Sequence, residues 1–198
     1  MKKPKFRELG EALRALFGGP YTSRFPAEMP EVPEGFRGKP EYQEDCIGCG
    51  ACAQVCPPGA IEQIDDTENK IRTLILHLDR CIFCGQCVRN CTTEKGIIQT
   101  SQWDLATFDR STLVEKVERK LVLCEVCGAV ISTEDHIRWT AERLGPLAYA
   151  NPSLLLASLS ERGLLEEAPP PAREKDLVRP DRIRITCPRC RRETSLIV

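Results

Sequence analysis

The sequence predicts an α+β fold: a repeated core of short strands and helices, preceded by a helix and an extended arm and followed by a second cysteine-bearing region. Three observations predict it. A four-cysteine run recurs with identical spacing 35 residues further along the chain. Each copy leads into a short apolar run, and a β-rich segment lies between the copies. Two further Cys-x-x-Cys pairs bracket 59 residues that carry helical patterns.

Composition narrows the class. The chain has 198 residues, room for one or two modest domains, with only 6% aromatic and 41% hydrophobic residues but twelve cysteines. Such a chain buries little apolar surface per residue, so bound metal is expected to supply part of its folding energy. A net charge of −1 without a strongly basic strip excludes nucleic acid as the expected partner. Nearly every cysteine sits three residues from another, which is metal-ligand or redox spacing in a reducing compartment rather than a secreted disulfide pattern. The first residues lack a signal-peptide core, and Glu8 and Glu11 argue against a transit peptide. No apolar stretch approaches the roughly 20 residues that span a bilayer. A cytoplasmic location is the expectation.

Four regions follow in order. Phe6, Leu9, Leu13, Leu16 and Phe17 recur at helical spacing among Lys2, Lys3, Lys5, Arg7 and Arg14, and Gly18, Gly19 and Pro20 end the helix. Such a basic amphipathic helix suits a membrane surface, a partner, or its own domain. Prolines at 20, 26, 30, 33 and 40 predict an extended arm or linker. These two stretches make a docking region over 1–40. The repeated core occupies 41–102, with short apolar runs at Ala60–Ile64 and Gly96–Thr100 and a strand expected at Thr73–Leu78. In the last region, 103–198, Ser111 reads as the cap of a helix reaching Lys120, and a second helix runs from Ser132 to Leu144 with Thr133, Glu134 and Asp135 in its first turn. Pro152 opens a third helix to about Arg162, Pro169, Pro170 and Pro171 mark a loop, and Arg182–Thr186 reads as a strand.

The repeat carries the chemistry. Cys46-Ile-Gly-Cys49-Gly-Ala-Cys52-Ala-Gln-Val-Cys56 returns as Cys81-Ile-Phe-Cys84-Gly-Gln-Cys87-Val-Arg-Asn-Cys91. This C-x2-C-x2-C-x3-C run is the bacterial ferredoxin pattern, in which the fourth cysteine binds the other cluster. Three cysteines on a tight loop reach three corners of one cube, and the fourth starts a helix that reaches the second. One [4Fe–4S] cluster is therefore expected on Cys46, Cys49, Cys52 and Cys91, the other on Cys81, Cys84, Cys87 and Cys56, within a 2[4Fe–4S] ferredoxin-like core. Soft thiolates match iron in a sulfide cluster, and their charge offsets the metal's. Gly48, Gly50 and Gly85 let the backbone approach the sulfides. Phe83 stands where the first copy has Gly48, which predicts a drier second cluster and unequal potentials. A zinc or disulfide framework is the alternative that two full runs make improbable.

Cys124-Glu-Val-Cys127 and Cys187-Pro-Arg-Cys190 suggest two knuckles of one four-cysteine site of zinc-ribbon or rubredoxin type. Tetrahedral thiolate ligation suits a structural zinc, the preferred reading, and also a lone redox iron. His77 and His136 read as structural, Trp103 and Trp139 as packing residues, and no phosphate loop or nucleophile–base set is evident, so no substrate pocket is expected.

Leu16-Phe17-Gly18-Gly19-Pro20, the proline-rich arm, Phe36-Arg37-Gly38-Lys39-Pro40 and the paired runs resemble the 8-iron ferredoxin-like subunit of respiratory complex I and its hydrogenase relatives, over roughly 5–115. CIGCGAC, CIFCGQC and the C-terminal cysteines are more similar to the iron–sulfur subunit of formate hydrogenlyase and membrane-bound [NiFe] hydrogenases. This resemblance implies a peripheral place on the cytoplasmic face of a membrane. Partners would be the small and large [NiFe] hydrogenase subunits, a membrane-arm subunit met by the N-terminal helix, and a formate dehydrogenase or further ferredoxin-like subunit. It implies no catalytic residue of the chain's own. The equivalent complex I subunit, a free soluble ferredoxin, and a zinc-ribbon adaptor remain alternatives. Two departures bear on loop shape: Thr92 stands where the first run has Pro57, and the second copy has one extra residue before its apolar run.

Overall fold

A computed structural model describes residues 6–19, 22–165 and 183–196. The prolines at 169–171 and Arg182 lie outside the described residues. The chain forms two compact units, Met1–Phe36 and Arg37–Val198.

In the first unit, helix α1 spans Phe6–Gly18 and stops where Gly19 turns to φ 73°. Its apolar side chains bury nothing within the described residues: Phe6 is 94% exposed and Phe17 83%. Arg7 pairs with Glu11 one turn on at 3.3 Å, a contact of small worth at such exposure. Residues 22–36 contain turns but no helix or strand, as their prolines dictate.

The second unit holds two antiparallel sheets. Strand β1 (Pro40–Tyr42) pairs with β4 (Ile97–Gln99), Glu41 opposite Ile98. Gly38 continues this pairing through Thr100, and a side chain there would strike the Gln102 carbonyl. The larger sheet has the order β2-β3-β5-β6, with β2 at Ile61–Asp66, β3 at Ile71–His77, β5 at Val114–Leu123 and β6 at Val130–Thr133. Alternation in β3 puts Arg72, Leu74 and Leu76 on its buried face. Leu74 and Leu76, at 1% exposure each, pack with Ala60, Ile61 and Leu78 against Cys46 and Cys52. The core of this unit is therefore also the wall of its cysteine sites.

Three local expectations need correction. The stretch after Ser111 is not a helix. Asp109 caps a single 3-10 turn, Arg110–Thr112, and the chain then enters β5. Its charged sequence is compatible with a helix, but β3 offers a full free edge, and seven paired residues from Ile71↔Lys120 to His77↔Val114 satisfy the backbone there. The helix expected from Ser132 begins two residues later. Ser132 and Thr133 end β6, and Thr133 caps α4 (Glu134–Leu144) by accepting from the His136 N–H. Residues 183–186 form no strand; Glu125 donates to the Ile185 carbonyl at 3.0 Å, and nothing longer forms. Helix α5 (Pro152–Glu161) starts at Pro152 as expected, capped by Asn151. A last helix, α6 (Pro188–Leu196), follows Cys187 and was not foreseen.

Candidate iron–sulfur and metal centres

The cluster loops begin from matched backbone conformations. Gly48 and Phe83 have φ 64° and 53°, and Gly50 and Gly85 have φ 78° and 74°. Each second glycine leads directly into one helical turn, α2 (Ala51–Gln54) or α3 (Gln86–Arg89). The third cysteine of each run, Cys52 or Cys87, lies inside that turn, and the fourth lies just beyond it. The fourth cysteine therefore ends a helical turn rather than starting one, which corrects the sequence reading. Pro57 after Cys56 disfavours continuation of the first turn.

Two small cavities lie beneath these loops. Cys46, Cys49, Cys52 and Cys91 line the first, together with Tyr42 and Leu74. Cys56, Cys81, Cys84 and Cys87 line the second, with Leu76 and Phe83. Each cavity thus gathers three cysteines of one run and the last cysteine of the other.

The donor chemistry fits a cationic metal core. Burial pushes the Cys52 thiol up to about 12 and Cys87 to about 11, and raises Cys46 and Cys81. Burial also raises the Tyr42 hydroxyl. Buried thiolates this close together repel one another unless positive iron lies among them. Cys91 moves the other way: burial opposes it, but the Thr93 hydroxyl and the Thr93, Gly96 and Ile97 N–H groups outweigh burial.

The two sites differ in their surroundings. Cys46 and Cys52 are only 8% and 7% exposed, with Cys49 and Cys91 partly buried, whereas all four cysteines of the second site are only partly buried. The first site is thus the drier, contrary to the expectation drawn from Phe83. The reason lies in β5 and β6, which cover the first loop. Arg119 donates to the carbonyls of Cys46 and Glu44 at 2.5 and 2.8 Å, Thr133 to that of Ile47 at 2.5 Å, and Arg72 to that of Gly48 at 3.0 Å. Asp65 holds Arg72 through two bonds of 2.6 and 2.8 Å. A Cβ at position 48 would lie 3.0 Å from the Arg119 and Thr133 side chains. Facing the second loop, an exposed Arg37 donates to the Cys84 carbonyl, and Ile82 stays 60% exposed.

Sequence reasoning missed Arg72, Arg119 and Thr133. One signal was present: Arg72 falls on the buried face of a strand otherwise filled by leucine, where an unpaired charge is costly. His77 lies 3.5 Å from Glu62 at the end of β3, and His136 accepts or donates to Ser132 at 2.9 Å; neither lines a cysteine cavity. Trp139 carries Arg143 over its ring at 4.8 Å.

The four remaining cysteines also meet. The sulfurs of Cys124, Cys127, Cys187 and Cys190 all lie within 4.8 Å of one another, with Cys127–Cys187 at 3.7 Å. Thiolates about 2.3 Å from a tetrahedral metal are about 3.8 Å apart, so the set suits such an ion. Cys124 follows β5 and turns through Gly128 into β6; Cys187 and Pro188 open α6. Burial opposes ionisation of Cys124, yet N–H groups of Cys187, Cys127 and Val126 bring its thiol down to about 6. A thiolate is the form that binds metal.

Residues 45–95 match the 4Fe-4S dicluster domain family. NADH-quinone oxidoreductase subunit I 2 of Geobacter metallireducens is 32% identical over 130 residues, 61% of this chain and 98% of that one. Formate hydrogenlyase subunit 6 of Escherichia coli is 31% identical over 170 residues, 85% of this chain and 90% of that one. The chain belongs to this family of iron–sulfur electron-transfer subunits. A chain in the structure of the membrane-bound sulfane sulfur reductase, an archaeal respiratory membrane complex, is 31% identical, with a TM-score of 0.41 over 57% of this chain and 61% of that one. Within the family, the long match to formate hydrogenlyase subunit 6 is the broader in this chain; the matches to subunit I cover less of it.

Proposed function

We propose that this chain relays single electrons through two [4Fe–4S] clusters between an electron-input module and the [NiFe] hydrogenase module of a membrane-bound complex. One observation carries the relay: two cavities, each lined by four cysteines, three from one run and one from the other. Cys46, Cys49, Cys52 and Cys91 are the proposed ligands of the first cluster, and Cys81, Cys84, Cys87 and Cys56 those of the second. The clusters supply reversible one-electron chemistry. The chain's own residues hold the thiolates, exclude water through Leu74 and Leu76, and direct N–H groups at sulfur, as Phe83 does toward Cys81 at 3.4 Å and Ala60 toward Cys56 at 3.3 Å.

The remaining parts follow. Cys124, Cys127, Cys187 and Cys190 hold a structural zinc that ties α6 to the end of β5, with iron as the alternative ion. Residues 1–40 dock the chain, 41–102 carry the clusters and 103–198 the second metal. Helix α1, with its exposed apolar side chains and basic flank, rests near a membrane-arm subunit. Attachment is peripheral, at the cytoplasmic face; among the described residues no helix is long and apolar enough to cross a membrane.

The hydrogenase setting is favoured over complex I because the match to formate hydrogenlyase subunit 6 reaches 85% of this chain. The equivalent complex I subunit is the second reading, supported by the 98% span of the subunit I relative. Anaerobic purification of the tagged chain from native membranes tests both. A [NiFe] hydrogenase pair accompanied by a formate dehydrogenase or ferredoxin-like subunit supports the first. NADH- or quinone-linked subunits would move the chain to the second, and a chain isolated alone contradicts both.

A further inference from the structure

We infer that the first cluster has the higher reduction potential of the two, set by Thr92 at its sulfur and by Arg72, Arg119 and Thr133 behind its loop. The inference rests on the two-cluster reading above and adds the direction of the internal electron gradient.

Two layers of hydrogen bonding converge on the first site. The inner layer touches sulfur. Thr92 Oγ1 lies 3.1 Å from Cys49 Sγ, and Thr93 Oγ1 lies 3.5 Å from Cys91 Sγ. With those sulfurs as thiolates, the hydroxyls donate. At the matching place in the second site the chain has Pro57 and Pro58, which have neither a hydroxyl nor an N–H. The extra residue of the second copy makes room for this arrangement: Glu94 takes φ 62°, and Gly96 donates its N–H to Thr93 Oγ1 at 2.9 Å.

The outer layer acts through peptides. Thr133 donates to the Ile47 carbonyl, and the N–H of that same peptide, on Gly48, faces Cys46 and stabilises its thiolate. A peptide whose carbonyl is hydrogen-bonded donates more strongly through its N–H. Arg119 and Arg72 donate to the Cys46 and Gly48 carbonyls, and their guanidinium charges face the loop. In the second loop the corresponding N–H, on Phe83, also faces a thiol, but among the described residues no side chain donates to the Ile82 carbonyl. The partners Asp65 and Asp135 balance the two arginines in charge, yet each guanidinium sits directly on a loop carbonyl. Donors and positive charge at cluster sulfur favour the reduced, more negative state, which raises the potential and outweighs the lowering that the deeper burial of the first site gives. The second site has donors of its own, the Phe83 and Ala60 N–H groups on Cys81 and Cys56 at 3.4 and 3.3 Å and Arg37 on the Cys84 carbonyl. Among the described residues, however, no hydroxyl reaches its sulfurs, and one arginine sits on its loop against two on the first.

The test is a redox titration of the cluster-loaded chain followed by electron paramagnetic resonance, with the signals assigned by Cys49→Ser and Cys84→Ser variants. Thr92→Val is expected to lower the potential of the first centre alone, and Thr92→Ser to keep it near the parent value. Arg119→Gln is expected to lower the same centre while Arg119→Lys retains most of it, giving an independent readout should Thr92→Val fail to load. A higher potential at the second centre, or no selective shift in loaded Thr92→Val and Arg119→Gln chains, overturns the inference alone. A parent chain that cannot hold two clusters overturns the underlying reading as well.

Discussion

Gly48 and Phe83 stand at equivalent places in the two cluster loops and share the left-handed backbone conformation, at φ 64° and 53°. The repeat has conserved the turn while changing the residue that makes it. Phe83 holds a conformation that costs an L-residue roughly 1–2 kcal/mol, and it lines the second cavity. Glycine fits best at 48, where a Cβ would stand 3.0 Å from the Arg119 and Thr133 side chains on β5 and β6.

Gly48→Ala is therefore expected to destabilise the chain by about 1–2 kcal/mol from backbone strain, with further loss from contact with Arg119 and Thr133. Phe83→Gly should retain both clusters. Iron content and urea midpoints of the two variants check this; equal iron loss in both would contradict it.

The fourth cysteines offer a second check. Cys91→Ser is expected to damage the cluster that Cys46, Cys49 and Cys52 share, and Cys56→Ser the cluster of Cys81, Cys84 and Cys87. Spectroscopy of each variant should show the cluster of the opposite run altered and its own run's intact.

Asp65 holds Arg72 in place, and the Arg72 hydrogen bonds keep the Asp65 carboxyl below the usual range. A depressed folded value contributes stability above the unfolded value of about 3.9, and that stability is lost as pH falls through the folded value. Asp65→Asn should cost about 1–2 kcal/mol near neutral pH, between exposed and buried ion pairs. Denaturation of parent and variant across the acid range should show the gap closing as pH falls.

The four-cysteine site predicts a separable metal. Cys124→Ser or Cys187→Ser should release one ion and loosen α6 and the β5–β6 turn, while the iron of both clusters remains. Elemental analysis decides this, and the ion released by the parent chain on acid treatment identifies zinc or iron.

Much of this was legible in the sequence for a physical reason. Ligand spacing is a local property, so Cys46 to Cys56 and Cys81 to Cys91 announced their chemistry without tertiary information. Strand β3 was legible because its apolar run follows turn residues, and β2 and β4 fall on the short apolar runs after each cysteine run. The helix expected after Ser111 failed because β5 exists for its neighbour: its charged stretch becomes a strand where β3 leaves an edge open. Arg119 and Thr133 were invisible for the same reason, as each acts on a loop 73 to 86 residues away in the chain. Thr92 was visible as a departure from the first run, but its meaning needed the position of Cys49.

The central claim is that this chain carries electrons through two clusters. A redox titration of the anaerobically purified chain, followed by electron paramagnetic resonance and quantified against iron and sulfide content, tests it most directly. The account predicts eight irons and eight labile sulfides and two one-electron centres. A single centre, or iron bound only at the four C-terminal cysteines, would contradict it.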